Sequence, residues 1–142
     1  MLEAGRVDHV RVDVGTFQWL QTEAGRALLA LAAQSLEEAP AGGELAVQSR
    51  LREHADAARV AAALSVVELR ERGREKFGDL APFLFFTRDG LEQATRLPVA
   101  RHRAARFVAA QISTVLDLGC GIGGDLVALA SAGLTTAGVD LD

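Results

Sequence analysis

Eleven residues near the C-terminal end, Val115 to Asp125, read V-L-D-L-G-C-G-I-G-G-D. No other stretch constrains the fold as strongly. Thr114 to Leu118 is a compact β-branched and aliphatic run, which predicts a strand, and the glycines that follow permit a sharp turn. Gly123 to Ala132 supports a helix that Gly133 can close, and Thr135 to Val139 predicts a second strand. The product is a βαβ unit. Its dimensions agree, since a helix of about ten residues rises about 15 Å and a five-residue strand spans about 17 Å. A right-handed crossover makes the two strands parallel. Their carboxyl ends then lie side by side, so Asp117, the glycine loop and Asp140 are expected to meet in one crevice, where open α/β sheets bind ligands.

The residue types at that crevice narrow the ligand. Gly119, Gly121 and Gly123 or Gly124 let a ligand approach the backbone closely, and a carboxylate at Asp140 can accept hydrogen bonds from both hydroxyls of a ribose. The same glycines fit the Gly-x-Gly-x-x-Gly dinucleotide pattern, so an NAD-dependent oxidoreductase is an alternative. Asp117 discriminates between the two. A pyrophosphate on this loop is repelled by a nearby carboxylate, with Asp125 in the first helical turn adding to the penalty. S-adenosylmethionine has no phosphate and carries an ammonium and a sulfonium, which Asp117 can stabilise directly or through water. The residues therefore point to S-adenosylmethionine, held by Asp117, Gly119, Gly121, Gly123 and Asp140.

Upstream, the pattern is mostly helical. Val10 to Val14 alternates and admits a short strand or a frayed terminus; from Thr16, Phe17, Leu20, Ala24, Leu28 and Leu31 mark one apolar face, with a break near Thr22, a cap for a second helix. Glu37 to Glu44, containing Pro40, Gly42 and Gly43, reads as a loop. Helices are expected from Leu45 to His54, from Ala57 to Leu64 with Asp56 as cap, and from Ser65, where Ser-x-x-Glu forms a capping box, to Phe77 with Gly78 as terminator. Pro82 to Phe86 suggests an extended apolar piece and Thr87 to Gly90 a turn. A long helix then runs to Gln111 with Thr95 as cap and Pro98 in its first turn. Val99, Ala100, Ala104, Phe107, Val108 and Gln111 share its apolar face.

Composition excludes several classes. At 142 residues, 49% of them hydrophobic, the chain can form a real core. It has no apolar run of eighteen residues and no signal-type start, so a cytoplasmic protein without a membrane span is expected. Cys120 is the sole cysteine, which rules out an intrachain disulfide and argues against a cysteine-based zinc site; it reads as a small residue in a glycine turn. The net charge of −4 opposes binding of nucleic acid by bulk electrostatics. Arg96, Arg101, Arg103 and Arg106 with His102 form an acid-free basic run, read first as a solvated helix face and second as a phosphate or carboxylate contact. Lys76 is the only lysine, a bias attributed to genome composition.

At Asp117-Leu118-Gly119-Cys120-Gly121-Ile122-Gly123 the chain resembles the first motif of class I S-adenosylmethionine-dependent methyltransferases, and Asp140 matches their ribose-binding acid. Thr95 to Arg106 with Asp117 to Asp125 look like the trimethylguanosine synthase branch, which implies that Thr95 helps to hold the methionine end of the cofactor. This chain has Gln93, Ala94 and Arg96 around that threonine, where the branch has serine, valine and proline. The wider layout is similar to bacterial methyltransferases with a THUMP-like domain, which would lie C-terminal. The branch carries its acceptor-side motif after a fourth strand, so this chain is expected to be the front part of a longer enzyme. The resemblance implies RNA or a related molecule as methyl acceptor, and no catalytic residue can be named.

The expected organisation is thus a helical N-terminal domain (1–80), a connecting segment and pre-motif helix (81–111), and the truncated start of a Rossmann-like domain of the α/β class (112–142). A helical interaction module that does no chemistry, with a partial nucleotide site, is the alternative from another class. With only two strands, the sheet is expected either to be held together by the helices or to self-associate through its unpaired edge.

Overall fold

The computed structural model describes residues 12–141. The chain forms two compact units that divide between Glu68 and Leu69. The first contains α1 (Val14–Leu20), α2 (Glu23–Glu38), α3 (Glu44–Arg52) and the N-terminal part of α4 (Ala57–Phe77). α1 packs on α2, and α2 on α3. The break near Thr22 is present: its side chain accepts a hydrogen bond from Gly25 N–H at 3.2 Å and so caps α2. Gly25 is also where the two helices touch, since a Cβ there would lie 2.3 Å from the Trp19 carbonyl oxygen. Leu20, Leu28, Ala32, Val47 and Leu51 are buried, and the Arg59 guanidinium sits 4.3 Å from the centre of the Trp19 ring.

Two expectations in this unit are corrected. Val14 opens α1 rather than ending a strand, because Asp13 caps the helix by accepting from Thr16 N–H at 2.9 Å; Val10 and Arg11 lie outside the described residues. The Thr16 hydroxyl, which donates to the other carboxylate oxygen, and then that backbone bond lower the Asp13 carboxyl from its ordinary value. The capping box at Ser65 starts no helix either. α4 runs unbroken from Ala57 to Phe77, because the alanine-rich residues before Ser65 are strong helix formers and no glycine or proline interrupts them. Its cap is Asp56, which accepts from Arg59 N–H at 2.9 Å.

The second unit begins inside α4 and continues through a 3-10 helix (Gly78–Phe83), α5 (Arg88–Gln93), α6 (Leu97–Ala109), β1 (Thr114–Leu118), α7 (Gly124–Ser131) and β2 (Thr135–Val139). Gly78, at φ +55°, ends α4 as expected. The aromatic stretch divides. Pro82 and Phe83 belong to the 3-10 helix, and Leu84, extended, opens a stretch outside helix and strand that runs to Phe86, with Phe86 buried and Phe83 exposed. Thr87 to Gly90 is not a free turn: the Thr87 hydroxyl accepts from Gly90 N–H at 3.1 Å and caps α5.

α6 opens at Arg96 rather than at the expected Thr95, with Pro98 in its first turn. Its buried face is Leu97, Ala100 and Ala104, flanked by Phe107, while Val99 and Val108 point outward. This stripe follows the 3.6-residue period from Leu97, two positions before Val99, where the expected face began. β1 and β2 pair in parallel, Thr114 opposite Thr135 through Leu118 opposite Val139. α7 packs on β2 and α6 packs on α7, enclosing Ala128, Leu129 and Leu134. The opposite sheet face has no covering element among the described residues: Leu116, Leu118 and Val139 are 60%, 73% and 55% exposed. No helix among these residues is long and apolar enough to cross a membrane.

Candidate functional site

The turn from β1 into α7 is built by three glycines at positive φ: Gly119 at +89°, Gly121 at +52° and Gly123 at +78°. Left-handed backbone costs any other L-residue roughly 1–2 kcal/mol per position, which accounts for glycine at alternate places. The sequence left the third position open between Gly123 and Gly124. Gly123 supplies the conformation and caps α7, whereas Gly124 supplies space, since a Cβ there would meet the Phe77 ring at 3.2 Å. The loop is tied to β2 by Gly119 N–H, which donates to the Val139 carbonyl at 2.7 Å.

Asp140 lies one residue beyond β2, and its carboxylate accepts from Gly121 N–H at 2.7 Å and from Leu141 N–H at 2.8 Å. The structure therefore brings this acid directly onto the glycine loop. A carboxylate accepts through both of its oxygens, the chemistry that a pair of vicinal hydroxyls would need. Asp117 stands near the end of β1, half-buried, in register with Gly138. Among the described residues no hydrogen bond or ion pair engages its side chain. The two acids and the glycines thus occupy one end of the sheet. Among the described residues, no group of three or more His, Cys, Asp or Glu side chains could hold a metal ion.

Thr95 connects α5 to α6, and its carbonyl oxygen lies 3.8 Å from the point a Gly124 Cβ would occupy. It therefore stands beside the start of α7 without capping α6. The basic run on α6 is partly spent on structure. Arg103 pairs with Asp125 in the first turn of α7, and Arg96 pairs with Glu75 at 2.7 Å; Arg101, His102 and Arg106 are exposed. Because Arg103 offsets the charge of Asp125, repulsion of a phosphate at this loop rests on Asp117 and Asp140. One oxygen of Asp125 is buried with no hydrogen-bond partner among the described residues.

Residues that the sequence reading passed over shape the same site. Gly138 faces Cys120 and Leu126 so closely that a Cβ would lie 2.8 Å from the Cys120 sulfur, so the lone cysteine packs against a bare strand position. Gly90 does the same for Ile122, whose Cγ2 would be 2.4 Å from a Cβ there. Ile122 in turn packs on the cluster of Leu69, Phe77, Ala81, Phe86 and Leu91, where the Phe77 and Phe86 rings lie 5.3 Å apart. The segment between α4 and α6 is thus the bed on which the glycine loop rests. The one signal for it in the sequence is glycine within an otherwise helix-compatible run at Gly90.

A family described as a domain of unknown function (DUF8688) matches residues 13–73, the helical portion. Two curated relatives from two strains of Mycobacterium tuberculosis, each named an uncharacterized S-adenosylmethionine-dependent methyltransferase, are 40% identical to this chain over 79 residues. The match covers 52% of this chain and 21% of each relative, so the chain corresponds to about a fifth of their length. No solved structure matches.

Proposed function

We propose that this chain is the cofactor-binding front part of an S-adenosylmethionine-dependent methyltransferase, its second unit being the first βαβ of a Rossmann-like sheet. The observation that carries the reading is the bond from Gly121 N–H to the Asp140 carboxylate, at the same end of the sheet as Asp117. Two acids around a loop of bare glycines suit a cationic nucleoside better than a pyrophosphate. The names of the two relatives support the same cofactor. Asp140 would take the ribose, Asp117 the positively charged methionine portion, Gly119, Gly121 and Gly123 the close approach of the backbone, and Thr95 the methionine end.

The cofactor supplies an electrophilic methyl group, and the chain's part is to hold and orient it, which is where much of the rate of a two-reactant transfer arises. RNA is the acceptor class we favour, on the resemblance to the trimethylguanosine synthase branch and on the exposed Arg101, His102 and Arg106. Calorimetric titration of the full-length protein with S-adenosylhomocysteine tests the cofactor assignment. Asp117→Ala is expected to weaken binding at least tenfold, roughly 1.4 kcal/mol or more, and NADH is expected not to compete. Unchanged affinity in the variant, or displacement by NADH, would reject the assignment.

A further inference from the structure

The single lysine of this chain holds three backbone carbonyls at once. Lys76 Nζ donates to Leu91 O at 2.7 Å, Glu92 O at 2.6 Å and Ala94 O at 2.9 Å. Leu91 and Glu92 belong to the last turn of α5, whose final carbonyls have no partner within the helix and carry its negative end. At six residues, α5 is far too short to persist by its own hydrogen bonds. An ammonium suits this place because it is compact and offers three donors to converging oxygens, whereas a guanidinium is planar and spreads its donors in a fork. The chain uses arginine at every other basic position, so lysine at this one follows from the geometry.

Two further ties lie on the same face of α4. Arg72 pairs with Glu92 at 3.6 Å and Glu75 with Arg96 at 2.7 Å, which with Lys76 gives positions i, i+3 and i+4 strapped to the turn between α5 and α6. The cleft of about 320 Å³ lined by Arg72, Glu75, Lys76, Leu91 and Glu92 is bordered mainly by charged side chains, a solvent groove over these ties. The strapped turn leads straight into Thr95, whose carbonyl abuts Gly124, and Phe77, the next residue after Lys76, puts its ring against the same glycine. Adjacent residues of α4 therefore fix both the loop's support and the segment beside it.

We propose that Lys76 is a positioning residue for the cofactor pocket, setting the place of Thr95 against the start of α7. The proposal rests on the cofactor reading above, and its test separates the two. S-adenosylhomocysteine affinity is measured by calorimetry on the full-length wild type, Lys76→Met, Lys76→Arg, Thr95→Ala and the Lys76→Met/Thr95→Ala double variant. Lys76→Met is expected to weaken binding about tenfold, and the double variant no more than the weaker single one, the non-additivity of residues acting through one element. Lys76→Arg is expected to lose a similar factor despite keeping its charge, and it carries the test if the methionine variant does not fold. A lowered melting temperature with unchanged affinity, or losses that multiply in the double variant, overturns the proposal alone. Absence of binding by the wild type overturns the cofactor reading and the proposal together.

Discussion

Single residues show where local chemistry was readable and where it was not. Gly119, Gly121 and Gly123 announce themselves because glycine at alternate positions after an aliphatic run signals a turn through left-handed backbone, and all three adopt positive φ. Gly124 and Gly138 are glycine for a different reason, contact with Phe77 and with Cys120 and Leu126, and those partners come together only in the folded chain. Gln111 is the converse case. It has φ +57° at the end of α6, where Ile112 N–H donates to the Phe107 carbonyl at 3.0 Å, a helix ending that normally employs glycine. Gln111→Gly removes a left-handed cost of about 1–2 kcal/mol and adds back about 0.5–1 kcal/mol of chain entropy. A net gain of roughly 0.5 kcal/mol is expected, read as a rise of about 1–3 °C in the thermal midpoint; a fall would show that the glutamine side chain does more than tolerate the turn.

Among the elements, β1 and β2 have the bounds expected of them, because strand signals of β-branched residues framed by glycine are local. The longer helices were legible in existence and less so in their joints. Ser65 to Glu68 has the composition of a cap yet lies inside α4, since a capping box acts only where the preceding chain has left the helix. α5 went unread because nothing within its six residues makes it a helix: the Thr87 cap, the burial of Leu91 and the Lys76 bonds do so together. Its fit to the glycine loop can be probed at Gly90. Gly90→Ala improves helix propensity by about 1 kcal/mol, but its Cβ would lie 2.4 Å from Ile122 and 2.7 Å from the Thr87 hydroxyl, and overpacking of that kind costs about 1–3 kcal/mol. The variant is expected to unfold at lower denaturant concentration with an unchanged m-value; a higher midpoint would mean that Ile122 moves aside freely.

Across the molecule, the sequence conveyed a helical front and a βαβ back, and it could not convey that α4 extends from one unit into the other. Among the described residues, the two-stranded sheet has an outer edge on each strand and an apolar face bearing Leu116, Leu118 and Val139 in water. Exposed edges beside apolar side chains favour pairing between chains. The 142-residue chain is expected to show a weight-average mass that rises with concentration in sedimentation equilibrium, and Leu118→Lys to hold it at the monomer value. A wild type that stays monomeric throughout the range would reject this route of association. Lys76 also has a bearing outside binding. Because the chain contains one lysine, an amine-directed acylating reagent meets a single side-chain target, and in the folded state all three hydrogens of that ammonium are engaged by carbonyls. Acylation must wait for the end of α5 to come loose, so the labelling rate at one atom becomes a clock for the opening of that turn.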